Sequence, residues 1–214
     1  MLDFPAMLKI RGRRCVIIGG GAVALRRVIS LIECGAKVTV IAPKINTEIQ
    51  ALPVHVELRG YRAGDLFGAF LAVIATDDPA VNAAAGAEAA RLGVLVNRAD
   101  EQEAGDLTVP AHVHIGPLTL CVGSGGISPR AAAVIRDQLA AAMDRDWARL
   151  LEIVEPFRAE LMHKVSRIDQ RRKAMHDLTD PRAMIELKEK GQAAFTEYCR
   201  RIVQRAAQDH DPGV

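Results

Sequence analysis

Cys15-Val-Ile-Ile-Gly19-Gly20-Gly21-Ala22-Val23-Ala24 joins a short apolar run to a stretch rich in Ala, Leu and Arg through three consecutive glycines. The spacing is G-x-G-x-x-A, at the point where a strand should pass into a helix. Gly19 permits the tight turn, Gly21 lets the backbone approach a pyrophosphate, and Ala24 lets the helix pack closely on the strand, with phosphates at the helix N-terminus. The plain alternative is a glycine-rich turn that binds nothing. The agreement of loop, preceding strand and following helix favours a dinucleotide loop made by Gly19, Gly20, Gly21, Ala22, Val23 and Ala24.

Outward from that loop the pattern alternates. Cys15 to Ile18, Val38 to Ile41, Val54 to Leu58, Phe70 to Ala75 and Val94 to Val96 are short apolar runs that predict parallel strands. Between them, Ala22 to Cys34 has helical spacing and stops at Gly35, and Pro79 to Leu92 stops at Gly93. Asp78 is placed to cap the second of these, with Pro79 at its first position. Strands alternating with helices predict an α/β fold, a Rossmann-like doubly wound parallel sheet. Val109 to Ile115 and Leu118 to Val122, separated by Gly116-Pro117, predict a small β extension, and from Pro129 the chain reads as a helical C-terminal domain. Pro156, Pro181 and Thr179, an N-cap candidate, punctuate that part, and Asp209 to Val214 reads as a frayed end. The expected division is a nucleotide-binding domain over 1–112, a linking β/helix dimerisation region over 113–145 and a helical domain over 146–214.

Composition excludes several classes. The 214 residues are 50% hydrophobic and 25% charged, too apolar for a disordered chain. With 28 Lys plus Arg against 26 Asp plus Glu, the net charge of +2 is too small for affinity built on nucleic-acid phosphates. No apolar run approaches the roughly 20 residues of a membrane span. Four scattered cysteines without CxxC spacing, and no basic-then-apolar leader, lead to the expectation of a reduced, cytoplasmic protein.

Candidate site residues cluster where strands end. The acidic residue that usually holds the adenine ribose is missing after Val40-Ile41-Ala42-Pro43, so NAD and NADP are not distinguished there. Lys44 is either a contact for a 2′-phosphate or simply solvated. Thr76 in Ala75-Thr76-Asp77-Asp78 lies at the sheet's carboxyl edge, as a ribose or nicotinamide-side contact or as part of a polar turn. Asp100 in Val96-Asn97-Arg98-Ala99-Asp100 is the catalytic candidate, a general base near the nicotinamide, although with Glu101, Glu103 and Asp106 it also reads as an acidic loop. His112 and His114 share one strand face, but two ligands do not make a metal site. Ser124-Gly125-Gly126-Ile127-Ser128-Pro129-Arg130 precedes a helix and reads either as an anion site for a substrate carboxylate or as a hinge. Arg167, Arg171, Arg172 and Lys173 concentrate charge in one helix, a solvated face unless the substrate is acidic.

Taken together, GGGAVALRR at Gly19 to Arg27, VTVIAP at Val38 to Pro43, IATDDPAVN at Ile74 to Asn82, VNRAD at Val96 to Asp100, VPA at Val109 to Ala111 and GSGGISP at Gly123 to Pro129 resemble one family. It is the precorrin-2 dehydrogenase and sirohydrochlorin ferrochelatase family, the N-terminal module of siroheme synthases. The resemblance implies NAD-dependent oxidation of precorrin-2, a polycarboxylate tetrapyrrole, to sirohydrochlorin, followed in bifunctional members by insertion of ferrous iron, and it implies a homodimer. It assigns Gly19 to Ala24, Pro43, Thr76 and Asp77 to the dinucleotide, Asp100 to catalysis, and Asn97, Ser124, Gly125, Gly126, Ser128 and Arg130 to the substrate. Two departures stand out: Asp100 is followed by Glu101-Gln102 where relatives often have an Asp-Asp-Pro or Asp-x-Pro run, and Leu107-Thr108-Val109 replaces the usual aromatic before Pro110-Ala111. The reading from another class is a non-catalytic dinucleotide-sensing regulatory domain, which the first half alone permits.

Overall fold

The computed structural model describes residues 3–101 and 104–208; Asp209 to Val214, Gln102 and Glu103 lie outside the described residues. The chain forms two compact units, Met1–Val109 and Pro110–Val214. The boundary between them falls close to residue 112, the expected end of the nucleotide-binding domain.

In the first unit, strands β1 (Arg14–Ile18), β2 (Lys37–Ile41), β3 (His55–Glu57), β4 (Leu71–Ile74) and β5 (Leu95–Arg98) alternate with helices α1 (Ala22–Glu33), α2 (Thr47–Gln50) and α3 (Pro79–Leu92). The strands pair in parallel in the order β3-β2-β1-β4-β5. Successive side chains of β1 enter opposite layers, as the two-residue period of a strand requires. Cys15 and Ile17 pack with Ala24, Val28 and Leu31 of α1, whereas Val16 and Ile18 pack with Ala85 and Ala89 of α3. Covered on both faces, the central strands read as unbroken apolar runs. Asp78 caps α3 by accepting hydrogen bonds from the N–H groups of Ala80 at 2.9 Å and Val81 at 3.2 Å, and Gly93 ends it with φ at 65°.

Glu88 of α3 is 3% exposed. Its carboxylate accepts hydrogen bonds from the Tyr61 hydroxyl and, at 2.8 Å, from the Gly64 N–H, tying the β3–β4 segment to the helix. Burial and the adjacent carboxylate push the Tyr61 hydroxyl well above its ordinary pKa. Glu88→Ala leaves two donors unpaired and is expected to destabilise the first unit by about 1–3 kcal/mol, against about 1 kcal/mol for Tyr61→Phe. Denaturant unfolding followed by circular dichroism checks both.

The second unit opens with an antiparallel hairpin, β6 (Ala111–Ile115) and β7 (Leu118–Val122), followed by α4 (Pro129–Ala142), α5 (Asp146–Lys164), α6 (Ile168–Thr179) and α7 (Pro181–Gln208). The hairpin belongs with the helices because its turn sits on α5: a Cβ at Gly116 would lie 2.8 Å from Glu152 Oε1 and 3.1 Å from Ala148 Cβ. Leu150, Val154, Phe157 and Leu161 form the buried stripe of α5, closed by Leu178, Phe195, Cys199 and Val203. Pro156, expected as punctuation, lies inside α5, where Phe157 and Leu161 carry the stripe past it. Asp180, not Thr179, caps α7, accepting from Arg182 N–H at 2.8 Å and Ala183 N–H at 3.0 Å; the Thr179 hydroxyl instead donates to Met175 O. Gly191, at φ 79°, breaks the helical backbone inside α7. The four cysteines are unbridged. Among the described residues, no helix is long and apolar enough to cross a membrane.

Candidate active site

The sheet is extended from β1 to β2 on one side and to β4 on the other, so the connections diverge at the carboxyl ends of β1 and β4. Open α/β sheets bind ligands in the crevice such a switch point creates. The glycine loop follows β1 there. A Cβ on Gly19, whose φ is 123°, would lie 2.2 Å from Ala75 O, and one on Gly20 would lie 2.2 Å from Lys44 O. The turns after β4 and β2 therefore press directly on the loop, with Asn46 N–H donating to Gly20 O at 2.8 Å. Gly21 is different: it is exposed, and a Cβ there would meet nothing within 4 Å. No side chain caps α1 and no acidic residue occupies its first turn, so the amide donors of that turn suit an anion such as a pyrophosphate. Pro43 and Lys44 are exposed after β2, and Ala42 is buried.

After β4, Thr76 is half-buried and Asp77 exposed. The Thr76 hydroxyl donates to Asn82 Oδ1 at 2.6 Å and accepts from Asp78 N–H at 3.2 Å. Asn82, 1% exposed on α3, donates from Nδ2 to Thr76 O at 3.0 Å and to Asp100 Oδ2 at 2.8 Å. With both amide hydrogens and its oxygen used, its orientation is fixed by its partners. Arg98 completes the cluster, donating from Nε to Asp100 Oδ1 at 2.8 Å and from Nη2 to Oδ2 at 2.7 Å. The register that pairs Ile74 with Arg98 brings the two strand ends together. The Arg98 hydrogen bonds, then that from Asn82, hold the Asp100 carboxyl well below the usual carboxylate range despite desolvation. Thr76 thus acts on Asn82, and Asn82 on Asp100.

Asn82 and Arg98 have no part in the sequence-derived site. A buried polar residue in an Ala-rich helix was the available signal for Asn82; nothing local marked Arg98. Asn97, assigned to substrate by resemblance, is 5% exposed, and its amide donates to Leu107 O at 3.1 Å while Oδ1 is buried without a partner among the described residues. Strand alternation puts Asn97 on the face opposite Arg98, whose side chain lies against α3, and the bond to Leu107 gives Asn97 a structural part. The acidic loop also divides, since Asp106 accepts from Val96 N–H at 3.0 Å and stabilises backbone.

In the second unit, Ser124 Oγ accepts from Ser128 N–H at 3.1 Å, and Gly125 and Gly126 take positive φ, 58° and 80°. Ser128 Oγ caps α4 by accepting from Ala131 N–H at 3.1 Å, and Arg130 is exposed. Arg167 pairs with Asp169 at 2.8 Å. His112 Nδ1 lies 3.0 Å from Pro110 O and His114 Nδ1 lies 2.9 Å from Thr119 Oγ1. Among the described residues, no group of three or more His, Cys, Asp or Glu could hold a metal ion.

Switch point, glycine loop and uncapped α1 define a protein of the NAD(P)-binding Rossmann class. Residues 6–111 match the family model NAD_binding_7, described as "Putative NAD(P)-binding". Siroheme synthase of Chromobacterium violaceum is 38% identical over 174 residues, 79% of this chain and 37% of that protein. Siroheme synthase of Ectopseudomonas mendocina is 36% identical over 180 residues, 83% of this chain and 39% of that protein. Over these residues the chain is similar to siroheme synthases, and it spans a little over a third of the length of the curated relatives it matches. Among solved structures, "SirC, precorrin-2 dehydrogenase" has the same fold, with a TM-score of 0.72 at 24% identity over 96% of this chain and 100% of that chain.

Proposed function

We propose that this chain is an NAD-dependent precorrin-2 dehydrogenase that produces sirohydrochlorin. The observation that carries the reading is the Thr76–Asn82–Asp100–Arg98 cluster at the carboxyl edge of the sheet, on the turn that presses against the dinucleotide loop. A sensor needs the loop but has no use for a carboxylate fixed beside it. When bound, NAD supplies the hydride acceptor. The loop amides and Gly21 hold the pyrophosphate, with Pro43, Thr76 and Asp77 as neighbouring contacts, while Asp100 takes or relays the proton that leaves the macrocycle with each hydride. Positioning and proton transfer are the protein's contributions. Ser124, Gly125, Gly126 and Arg130 are proposed to bind the substrate's carboxylates. Iron insertion is the second reading, favoured only by Asp100, which can accept protons from pyrrole nitrogens as ferrous iron enters.

We also propose a homodimer. A two-stranded hairpin with one helix does not bury its own apolar surface, and Ile127, Val134, Ile135 and Leu139 are exposed on and before α4. Sedimentation equilibrium is expected to give twice the 23.1 kDa chain mass; a monomer overturns this. The activity is tested by anaerobic incubation with precorrin-2 and NAD, following NADH absorbance and the tetrapyrrole spectrum, with ferrous iron added afterwards. NADH formed together with sirohydrochlorin supports the dehydrogenase, and siroheme formed faster than without enzyme supports the second step. NAD binding without oxidation overturns the proposal in favour of the sensor.

A further inference from the structure

Arg98 and Asp100 are two residues apart, a spacing at which an exposed ion pair contributes little. This pair is not exposed in that sense, because the Arg98 side chain is only 10% accessible. Its guanidinium lies against α3, where a Cβ on Gly86 would come within 3.4 Å of Nη1, and its backbone lies under Gly105, where a Cβ would come within 3.1 Å of Arg98 N. Both Asp100 oxygens are engaged, and the side chain keeps 32% of its surface open.

We infer that Arg98 is a positioning residue, which keeps Asp100 ionised and in one orientation while a polyanionic substrate occupies the site. The inference rests on the proposed function. A bound macrocycle would desolvate Asp100 and bring its own carboxylates near, and both effects favour the protonated acid. A protonated Asp100 cannot take up the proton the reaction releases. The fork of Arg98 opposes both effects, and its position two residues before Asp100 makes it available before substrate arrives. The other charged groups around the pair do not replace it. Glu101 lies 3.8 Å from Arg98 Nη2 and bears the wrong sign. Asp78 and Asp106 are committed to backbone N–H groups, Asp77 is an exposed carboxylate on the same turn, and Asn82 and Thr76 are neutral.

Two measurements on wild type, Arg98→Met and Arg98→Lys test this. The first is the pH dependence of kcat for precorrin-2 oxidation, with NAD affinity measured alongside. For Arg98→Met the acid limb is expected to move up by about one to three pH units, with kcat reduced about tenfold or more at pH 6, partial recovery toward pH 8, and NAD affinity changed by no more than about twofold. Arg98→Lys, which keeps a cation but loses the fork, should fall between the two, and it carries the comparison if Arg98→Met does not fold. The second is a carbon-13 NMR titration of Asp100 in the free protein, which needs no substrate. A flat signal from pH 6 to 3 in wild type, with a midpoint restored to about 3.9 or above in Arg98→Met, supports the inference even in a protein that fails to oxidise precorrin-2, a failure that overturns the proposed function alone. Identical titrations, or a deficit in kcat that is the same at every pH, overturn it.

Discussion

An Asp100→Asn protein is expected to lose the proposed precorrin-2 oxidation by about 10²–10⁴-fold, the range general acid–base groups contribute, while binding NAD as wild type does. The substitution preserves size but removes the charge and the proton-accepting oxygen. In the native site, Asp100 receives donors from Arg98 on both oxygens and from Asn82 on one. An Asn amide presents one oxygen and one NH2 group, so a donor must then face a donor. Binding of NAD is spared because the glycine loop lies on β1 and none of its backbone bonds involves Asp100. Single-turnover NADH formation and a fluorescence titration with NAD separate the two effects. Full turnover in Asp100→Asn would falsify its role in the hydride step.

The second large effect distinguishes neighbouring glycines. Gly19→Val places a branched side chain at φ 123° with its Cβ 2.2 Å from Ala75 O. Backbone strain of about 1–3 kcal/mol and overpacking of about 1–3 kcal/mol together predict a loss of roughly 2–6 kcal/mol and no measurable NAD binding. Gly21→Ala, at φ −86° with open space around the new methyl group, is expected to unfold at the wild-type temperature and to weaken NAD by about tenfold, since the methyl group takes the space a pyrophosphate needs. Calorimetry with and without NAD tests both, and equal destabilisation by the two substitutions would count against this division between a packing glycine and a ligand glycine.

Much of the first unit was legible because its signals are local. The glycine loop, the Asp78 cap and the Gly93 stop each reside in a few consecutive residues, and the runs expected at Cys15 to Ile18 and Val38 to Ile41 differ by one residue from the strands observed. Helix α2, at four residues, is too short to show a period, and only the Asn46 side chain accepting from Glu48 N–H at 2.9 Å marks its start. The Asp100 cluster was half legible. Asp100 and Thr76 sit at strand ends, where a carboxyl-edge argument finds them. Their coupling through Asn82 and Arg98 depends on the β4–β5 register and on the rotation of α3, which are set by packing across the sheet. The same distinction explains the misread proline in α5, where a buried stripe outweighed a local breaker.

Among the described residues, the anchors of Asp100, namely Asn82, Arg98 and, through Asn82, Thr76, all precede it in the chain. After it, Ala104 N–H donates to Glu101 O at 3.2 Å, Gly105 packs on the Val96 carbonyl and Asp106 accepts from Val96 N–H. The carboxylate is therefore aimed from α3 and from the end of β5, elements held in place by the packing of the sheet. A change in how α3 packs on the sheet would accordingly be felt at the carboxylate, so the hydrophobic layer beneath the helix is also part of what sets the geometry of the site.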